Sequence, residues 1–458
     1  MAQQDILPTE AGDTSLTKIE ANFTELYGKT DKITNASASA PASLDLAEDT
    51  DNGTNKITIT APSAIASDKV LTLPDATDTL VGKDTTDTLT NKTLSTGSKV
   101  DANADANITQ YGMARQAVMN GNFDVWQRGT SVALADVTVQ LLADRWKDYV
   151  DKNSGTLPTL TRSRQLHTSG DIANSFYFIR LATDGAGTSL GVSSSGILRH
   201  PIENGTRNLC GLNKKVTLSF WARSSIANKR ICPTLSQNYG TGGSPTAQEQ
   251  ILGTPITLTS TWTKYMVTFT TNTLVGKTFG TAGDDSLKLD FYYMWGTTFG
   301  NTYVQTSVTA ETFVGAGNID IAQVQLCSGD VALPFQPKSY EEELRACQRY
   351  AYVFNSIETL SSIGIAFGQS ATAARAVINI PTNLRTIPTL TATASDFELS
   401  DGIAAGVDCT TIALTSNCAG NSSFTLDLGV TTGLTARYPY SLRTNNGVGK
   451  LLILSSEL

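Results

Sequence analysis

At 458 residues the chain exceeds one ordinary domain and has room for about three. Only 17 % of residues are charged and the formal net charge is −8 with no run of Lys or Arg, which excludes the basic footprint that a nucleic-acid partner needs. No apolar run reaches the ~18 residues of a membrane span, so no membrane insertion is expected. The start, Met1-Ala2-Gln3-Gln4-Asp5, shows neither the basic nor the apolar region of a secretory signal.

In chain order, residues 13–34 carry the clearest helical period. Leu16, Ile19, Phe23, Leu26, Thr30 and Ile33 alternate spacings of three and four, the seam of a coiled coil, behind Asp13 or Thr14 as N-cap. A helix of about three heptads is weak alone in water, so copies are expected to associate through Leu16, Ile19, Phe23, Leu26 and Ile33, the alternative being a helix packed on its own chain. Residues 1–35 are thus set apart as an N-terminal helical segment.

Residues 36–110 are rich in Thr, Asp, Ala and Asn and almost free of aromatics. Strand-like alternation marks Lys56–Thr60 and Val70–Leu73, and Thr77-Asp78-Thr79-Leu80 recurs as Thr86-Asp87-Thr88-Leu89. One chain cannot bury a core from so few apolar residues. Several copies winding together, each giving one apolar edge to a shared axis, is preferred over a disordered linker.

From Tyr111 to Pro337 the composition changes, with all five tryptophans in this stretch. Alternation from Val118 to Trp126, after the turn-forming pair Asn120-Gly121, predicts an opening strand with Phe123 and Val125 on one face and Asp124 and Trp126 on the other. Further strands are predicted at Ser175–Leu181, Val216–Trp221, Tyr265–Thr270, Lys288–Tyr293 and Ile319–Leu326, so residues 111–337 read as an antiparallel sandwich. Residues 338–355 hold a helix in which Ser339 and Glu342 form a capping box and Arg345 and Arg349 suit the C-terminal end. Residues 356–458, with strands at Ala376–Ile380, Thr389–Thr393 and Leu451–Leu454, read as a second, smaller β-sandwich.

Catalytic chemistry is hard to find. His167 and His200 lack a nucleophile or metal context and read as surface or loop residues. Gly185, Gly187 and Gly191 have the wrong spacing for a phosphate loop. Asp284, Asp285 and Asp290 could supply the two carboxylates of a glycoside hydrolase, yet Asp284-Asp285 looks like a solvated turn. The six cysteines form no C-x-x-C pair; buried free thiols are expected, although Cys409 and Cys418 are close enough to pair across a hairpin. The chain is not expected to be an enzyme.

Several stretches resemble segments of bacteriophage tail fibres: Thr17–Tyr27, Thr88–Leu94, Asn120–Thr130 with the later Asp144-Arg145-Trp146, and Glu342–Tyr350. Asn318–Leu326 is similar to the last strand of jelly-roll carbohydrate-binding modules. The resemblance implies a mainly β homotrimeric tail fibre, or receptor-binding protein. Residues 1–35 would attach it to other tail proteins (baseplate or hub), 36–110 would form a trimeric shaft, and 111–337 a jelly roll. A connector helix (338–355) would lead to a β-sandwich tip (356–458). Its location would be the virion, after synthesis in the host cytoplasm, and its partner a host surface glycan. A capsid head or decoration fibre, or a polysaccharide-cleaving tailspike, are the alternatives. The resemblance also implies a structural calcium between the first and last strands, for which Asn122, Asp124 and Asp320 are the candidate ligands. For glycan stacking, Tyr239, Trp262, Trp295 and Tyr292 are the candidates, Tyr239 in a Gly-rich loop, with Trp126 and Trp146 reserved as structural.

Overall fold

The computed structural model describes the backbone of residues 43–47 and 56–60, and residues 112–458 apart from 314, 404, 446 and the side chains of 416–419. The seam of residues 13–34, the expected strand Val70–Leu73, the Thr-Asp-Thr-Leu echo and the side chain of Cys418 lie outside these residues. The chain is mainly β. Within Met1–Leu94, strands β1 (Ser43–Ala47) and β2 (Lys56–Thr60) pair antiparallel, Leu44 opposite Ile59 and Leu46 opposite Ile57.

Within Ser95–Leu458, two sheets face each other. The first has seven strands: β4 (Thr138–Leu141), β5 (Lys147–Asp151), β8 (Ser195–Glu203), β10 (Arg230–Asn238), β11 (Glu249–Ile251), β12 (Ile256–Thr257) and β14 (Ser286–Trp295). Their order is β11-β10-β14-β8-β5-β4, with β12 also paired to β10. The second has six: β3 (Ser131–Ala133), β6 (Leu160–Leu166), β7 (Tyr177–Thr183), β9 (Lys215–Ser224), β13 (Thr263–Thr270) and β15 (Gly317–Ser328), ordered β13-β9-β15-β7-β6-β3. Two short helices, α1 (Gly205–Leu209) and α2 (Thr297–Tyr303), sit in the connections.

The period-2 pattern decides which side chains fill the sandwich. Val216, Leu218, Phe220 and Ala222 of β9 and Leu287, Leu289 and Phe291 of β14 are buried in one core. Along β15, Ile319 and Ile321 point inward. A bulge at Gln323 (φ 45°) then resets the phase so that Val324 and Leu326 point inward too. One buried ion pair crosses the core: Arg162 of β6 grips Asp148 of β5 through two hydrogen bonds of 3.0 and 2.7 Å.

Helix α3 (Tyr340–Gln348) follows, and the expected capping box of Ser339 and Glu342 is formed. Beyond it, β16 (Ala351–Asn355), β19 (Thr389–Ala392) and β24 (Leu451–Ser455) make a three-stranded sheet. The strands β17 (Ser362–Gly368), β18 (Ala373–Asn379), β20 (Phe397–Ser400), β21 (Val407–Ala419), β22 (Ser423–Val430) and β23 (Pro439–Thr444) close into a barrel. The expected C-terminal sandwich is therefore a barrel with a small sheet beside it. Strand length and alternation are the same in both, and closure depends on β17 pairing with both β18 and β23.

The opening strand expected at Val118–Trp126 is not formed; this segment is a series of turns. Asn120 and Phe123 adopt left-handed backbone (φ 51° and 56°), which regular strand pairing does not allow. The expectation that each histidine is a surface or loop residue holds for His167, which lies in the β6–β7 loop, and fails for His200. His200 is in the inward register of β8, opposite Leu289, and buried beside Trp146 with ring centroids 4.9 Å apart. The His167 ring is enclosed between Phe178 and Trp262. Cys210, Cys232, Cys327, Cys347 and Cys409 are free, buried thiols.

Candidate functional site

The Asn120–Thr130 signature is a hydrogen-bonded hub. The Asn120 side chain donates to the carbonyls of Val125 (2.8 Å) and Asp144 (3.0 Å) and accepts from the Val125 amide (3.0 Å), while the Trp146 indole donates to the Asn120 carbonyl (3.0 Å). Gly121 crosses directly over β15: its carbonyl accepts from the Val324 amide at 2.8 Å. Phe123 and Trp126 enter the core, so the two-faced alternation expected for this stretch gives way to a folded-back turn.

The calcium candidates divide between two places. Asp320 is buried, and both its oxygens are held by guanidinium groups, Arg180 at 2.7 and 2.8 Å and Arg223 at 2.9 Å. These arginines stand in register on either side of it, on β7 and β9. Two fixed positive charges already occupy the donor set that a hard cation would need, so Asp320 does not fit a calcium site. Asn122 and Asp124 pair with each other instead, Nδ2 to Oδ2 at 3.0 Å. Among the described residues no group of three or more His, Cys, Asp or Glu side chains is placed to hold a metal.

Three of the four aromatic candidates are buried and cannot act as stacking platforms. Tyr239 is only 1 % exposed: its hydroxyl donates to Glu249 at 2.7 Å, its ring meets Phe279, and Asp284 ties down the loop through the amide and hydroxyl of Thr241. Tyr292, by alternation along β14, and Trp295, after the bulge between Tyr292 and Met294 that shifts the phase, point away from the main core, but α2 roofs that end of the sheet and Phe299 packs on Tyr292. Trp262 is half-buried, packed edge-on to Phe178 and under the Arg223 guanidinium at 4.5 Å. Phe279 reaches Tyr239 from a separate part of the chain, whereas α2 follows directly on β14 and folds back over Tyr292 and Trp295. The carboxylates weighed for hydrolysis are also committed: Asp284 to Thr241, Asp285 to Arg207 and Asp290 to Arg199.

What stays open is the rest of the outer face of the seven-stranded sheet. The register lines up rows across it. Thr234, Asp290, Arg199, Lys147 and Leu141 form one row, and Cys232, Tyr292, Ile197, Tyr149 and Val139 the next. Arg199 is clamped on the fully buried Asp290 through bonds of 2.6 and 2.8 Å. Gln250 bridges Ser236 (2.5 Å) and Thr234 (3.1 Å), and Lys288 donates to Gln248 at 2.7 Å. Lys147 donates to the backbone oxygen of Leu458, and burial, against the pull of Glu457, brings its pKa down to about 8. Val139, Lys147, Tyr149, Ile197 and Arg199 line a groove of about 310 Å3. The result is an apolar floor with one aromatic ring, edged by the cationic donors Lys147 and Arg199, a combination that suits a hydroxyl-rich ligand. Sequence reasoning missed Tyr149. The signal was its place one strand from the motif, two residues beyond Lys147 on the same face.

No family model matches the sequence, and no curated protein matches it. Among solved structures, the chain is similar to the enzymatically active domain of bacteriophage CBA120 tailspike protein 4, with 14 % identity and TM-score 0.26 over 47 % of this chain and 21 % of that one. It is also similar to the N-terminal cellulose-binding domain of β-1,4-glucanase C from Cellulomonas fimi (19 %, TM-score 0.23, 41 % of this chain and 90 % of that one). A xylan-binding domain from Paenibacillus barcinonensis is a third likeness (11 %, TM-score 0.23, 46 % and 92 %).

Proposed function

We propose that this chain is the adhesin subunit of a bacteriophage fibre, a receptor-binding protein that holds a host-surface glycan without cleaving it. The observation that carries the reading is the outer face of the seven-stranded sheet, where Tyr149 and Ile197 floor a groove edged by Arg199 and Lys147. The tail-fibre wording of the separate sequence stretches supports it independently. Copies would associate as a trimer through Leu16, Ile19, Phe23, Leu26 and Ile33 and the 36–110 shaft, and residues 1–35 would attach to other tail proteins. Weak contacts at each groove would be multiplied by the number of copies.

The test is adsorption of the purified full-length chain to host cells, with Tyr149→Ala and Val139→Arg as variants. Both side chains are partly or largely exposed, so folding is expected to survive. Loss of adsorption in both supports the reading; unchanged adsorption removes this face. Release of reducing sugar from host polysaccharide would replace adhesion by depolymerisation, and a monomeric mass for the full chain by light scattering would remove the fibre.

A further inference from the structure

A second groove, of about 460 Å3, lies between the signature turn, the β6–β7 loop and the start of α3. Its lining includes Asn122, Asp124, Phe176, Tyr177, Ser339 and Tyr340. None of its residues belongs to the seven-stranded sheet.

Two aromatic rings stand open at its rim, Phe176 at 71 % exposure and Tyr340 at 58 %. Both have rigid supports. The Phe176 carbonyl accepts from the His167 amide at 2.9 Å, so the backbone is fixed while the ring faces out. Tyr340 is the first residue of α3, directly after the N-cap Ser339 and within the capping box that anchors the helix start. Exposed rings held without rotational freedom of the backbone lose little entropy when a ligand covers them.

The polar side of the groove is equally fixed. Asn122 is 8 % exposed and makes three hydrogen bonds, donating to Asp124 Oδ2 (3.0 Å) and the Asn174 carbonyl (3.4 Å) and accepting from the Ser175 hydroxyl (2.8 Å). This amide holds the Asp124 carboxylate by one oxygen. An oriented carboxylate oxygen accepts hydroxyl protons, and ring faces stack on the C–H face of a pyranose. Burial raises the Asp124 pKa, the Asn122 hydrogen bond opposes it, and the charges of Glu343 and Arg164 act in opposite senses; the raising side prevails, so a further negative charge beside Asp124 is disfavoured. Lys338, also on the rim, is spent on Glu343 at 3.8 Å.

We propose that this groove is a second saccharide site, separate from the sheet face, which takes an uncharged sugar with its hydroxyls on Asp124 and its apolar face between Phe176 and Tyr340.

Saturation-transfer NMR on the full-length chain tests it, with methyl glycosides of neutral hexoses and N-acetylhexosamines as probes and a methyl glucuronide as the acidic comparator. The neutral probes are expected to take up saturation. Phe176→Ala and Asp124→Asn, each made in a Tyr149→Ala background that removes the sheet-face groove, should weaken the remaining binding at least tenfold. Phe176→Ala removes an exposed ring, so an unchanged melting temperature shows that the fold is kept even where Asp124→Asn fails to fold. No binding of any neutral probe, undiminished binding when Phe176→Ala is added to that background, equal binding of the glucuronide, or binding that requires added calcium would each overturn the proposal. A signal lost completely in Tyr149→Ala by itself would overturn it while leaving the adhesin reading intact.

Discussion

The guanidinium carbon of Arg145 lies 3.4 Å from the centre of the Tyr350 ring. Arg145 belongs to the sequence signature and Tyr350 follows α3, so this stack joins the sandwich to the C-terminal part of the chain. The same seam holds Arg128 and Arg145 on Glu457, Arg349 and Tyr350 on Glu203, and Glu343 on the Asn120 amide. The D-R-W motif therefore builds an interdomain joint: Trp146 fills the core, Asp144 receives Gln127 and Arg128, and Arg145 reaches across.

Breaking that joint should be costly. Arg145 is fully buried, and Arg145→Ala leaves Glu457 with one guanidinium partner fewer and removes the stack on Tyr350. A loss of about 3–5 kcal/mol is expected for breaking a buried pair. Thermal melting should show the sandwich and barrel unfolding in separate steps in the variant. A single transition at the wild-type temperature would refute this role.

Gly121 permits the signature turn to cross β15. A Cβ there would sit 2.1 Å from the Val324 carbonyl oxygen, and backbone cannot yield as a flexible side chain can. Gly121→Ala should destabilise by at least ~2 kcal/mol in urea unfolding, a large effect for one methyl group.

The Arg162–Asp148 pair is a test of buried charge. Arg162→Met alone leaves Asp148 unpaired and should cost about 3–5 kcal/mol, while Arg162→Met with Asp148→Leu should recover most of it. A double variant as unstable as the single one would show that the pair contributes more than the packing it replaces.

His200 should make stability depend on pH. Burial first, and then the Arg145 charge, hold its imidazole well below the usual range, and its Nε2–H donates to the Met119 carbonyl at 3.0 Å. The unfolded chain binds a proton near pH ~6.5 and the folded one does not. This contribution is therefore complete above that pH and is lost as the pH falls below it. Asp144, whose pKa burial pushes up to about 6, acts in the opposite sense, gaining stability as the pH falls. The measurement is accordingly the difference between wild type and His200→Gln, whose melting temperatures should converge between pH 7.5 and 5.

Chelator should leave the melting temperature unchanged, because guanidinium groups already neutralise Asp320. A fall of several degrees on adding EDTA would show a structural cation after all.

Local order was legible wherever it rests on a period. The strands expected around Ile179, Phe220, Val267, Phe291 and Ile321 are present because alternation along each strand puts those side chains on the core-facing side. The capping box was legible because its two residues are three apart. The opening segment misled because Asn120 and Phe123 leave strand geometry through left-handed backbone, which hydrophobic spacing does not report.

By itself, then, the sequence determined the β class, the positions of those strands that alternate cleanly and the place of the α3 helix, since each follows from neighbours within a few residues. Only the tertiary structure decided which aromatic rings meet solvent. Tyr239, Tyr292 and Trp295 are closed off by Phe279 and α2, whereas Tyr149, Phe176 and Tyr340 are left in or beside grooves. Exposure depends on where the covering segment folds, whether it follows directly as α2 does or comes from farther along the chain as Phe279 does, and strand alternation encodes neither.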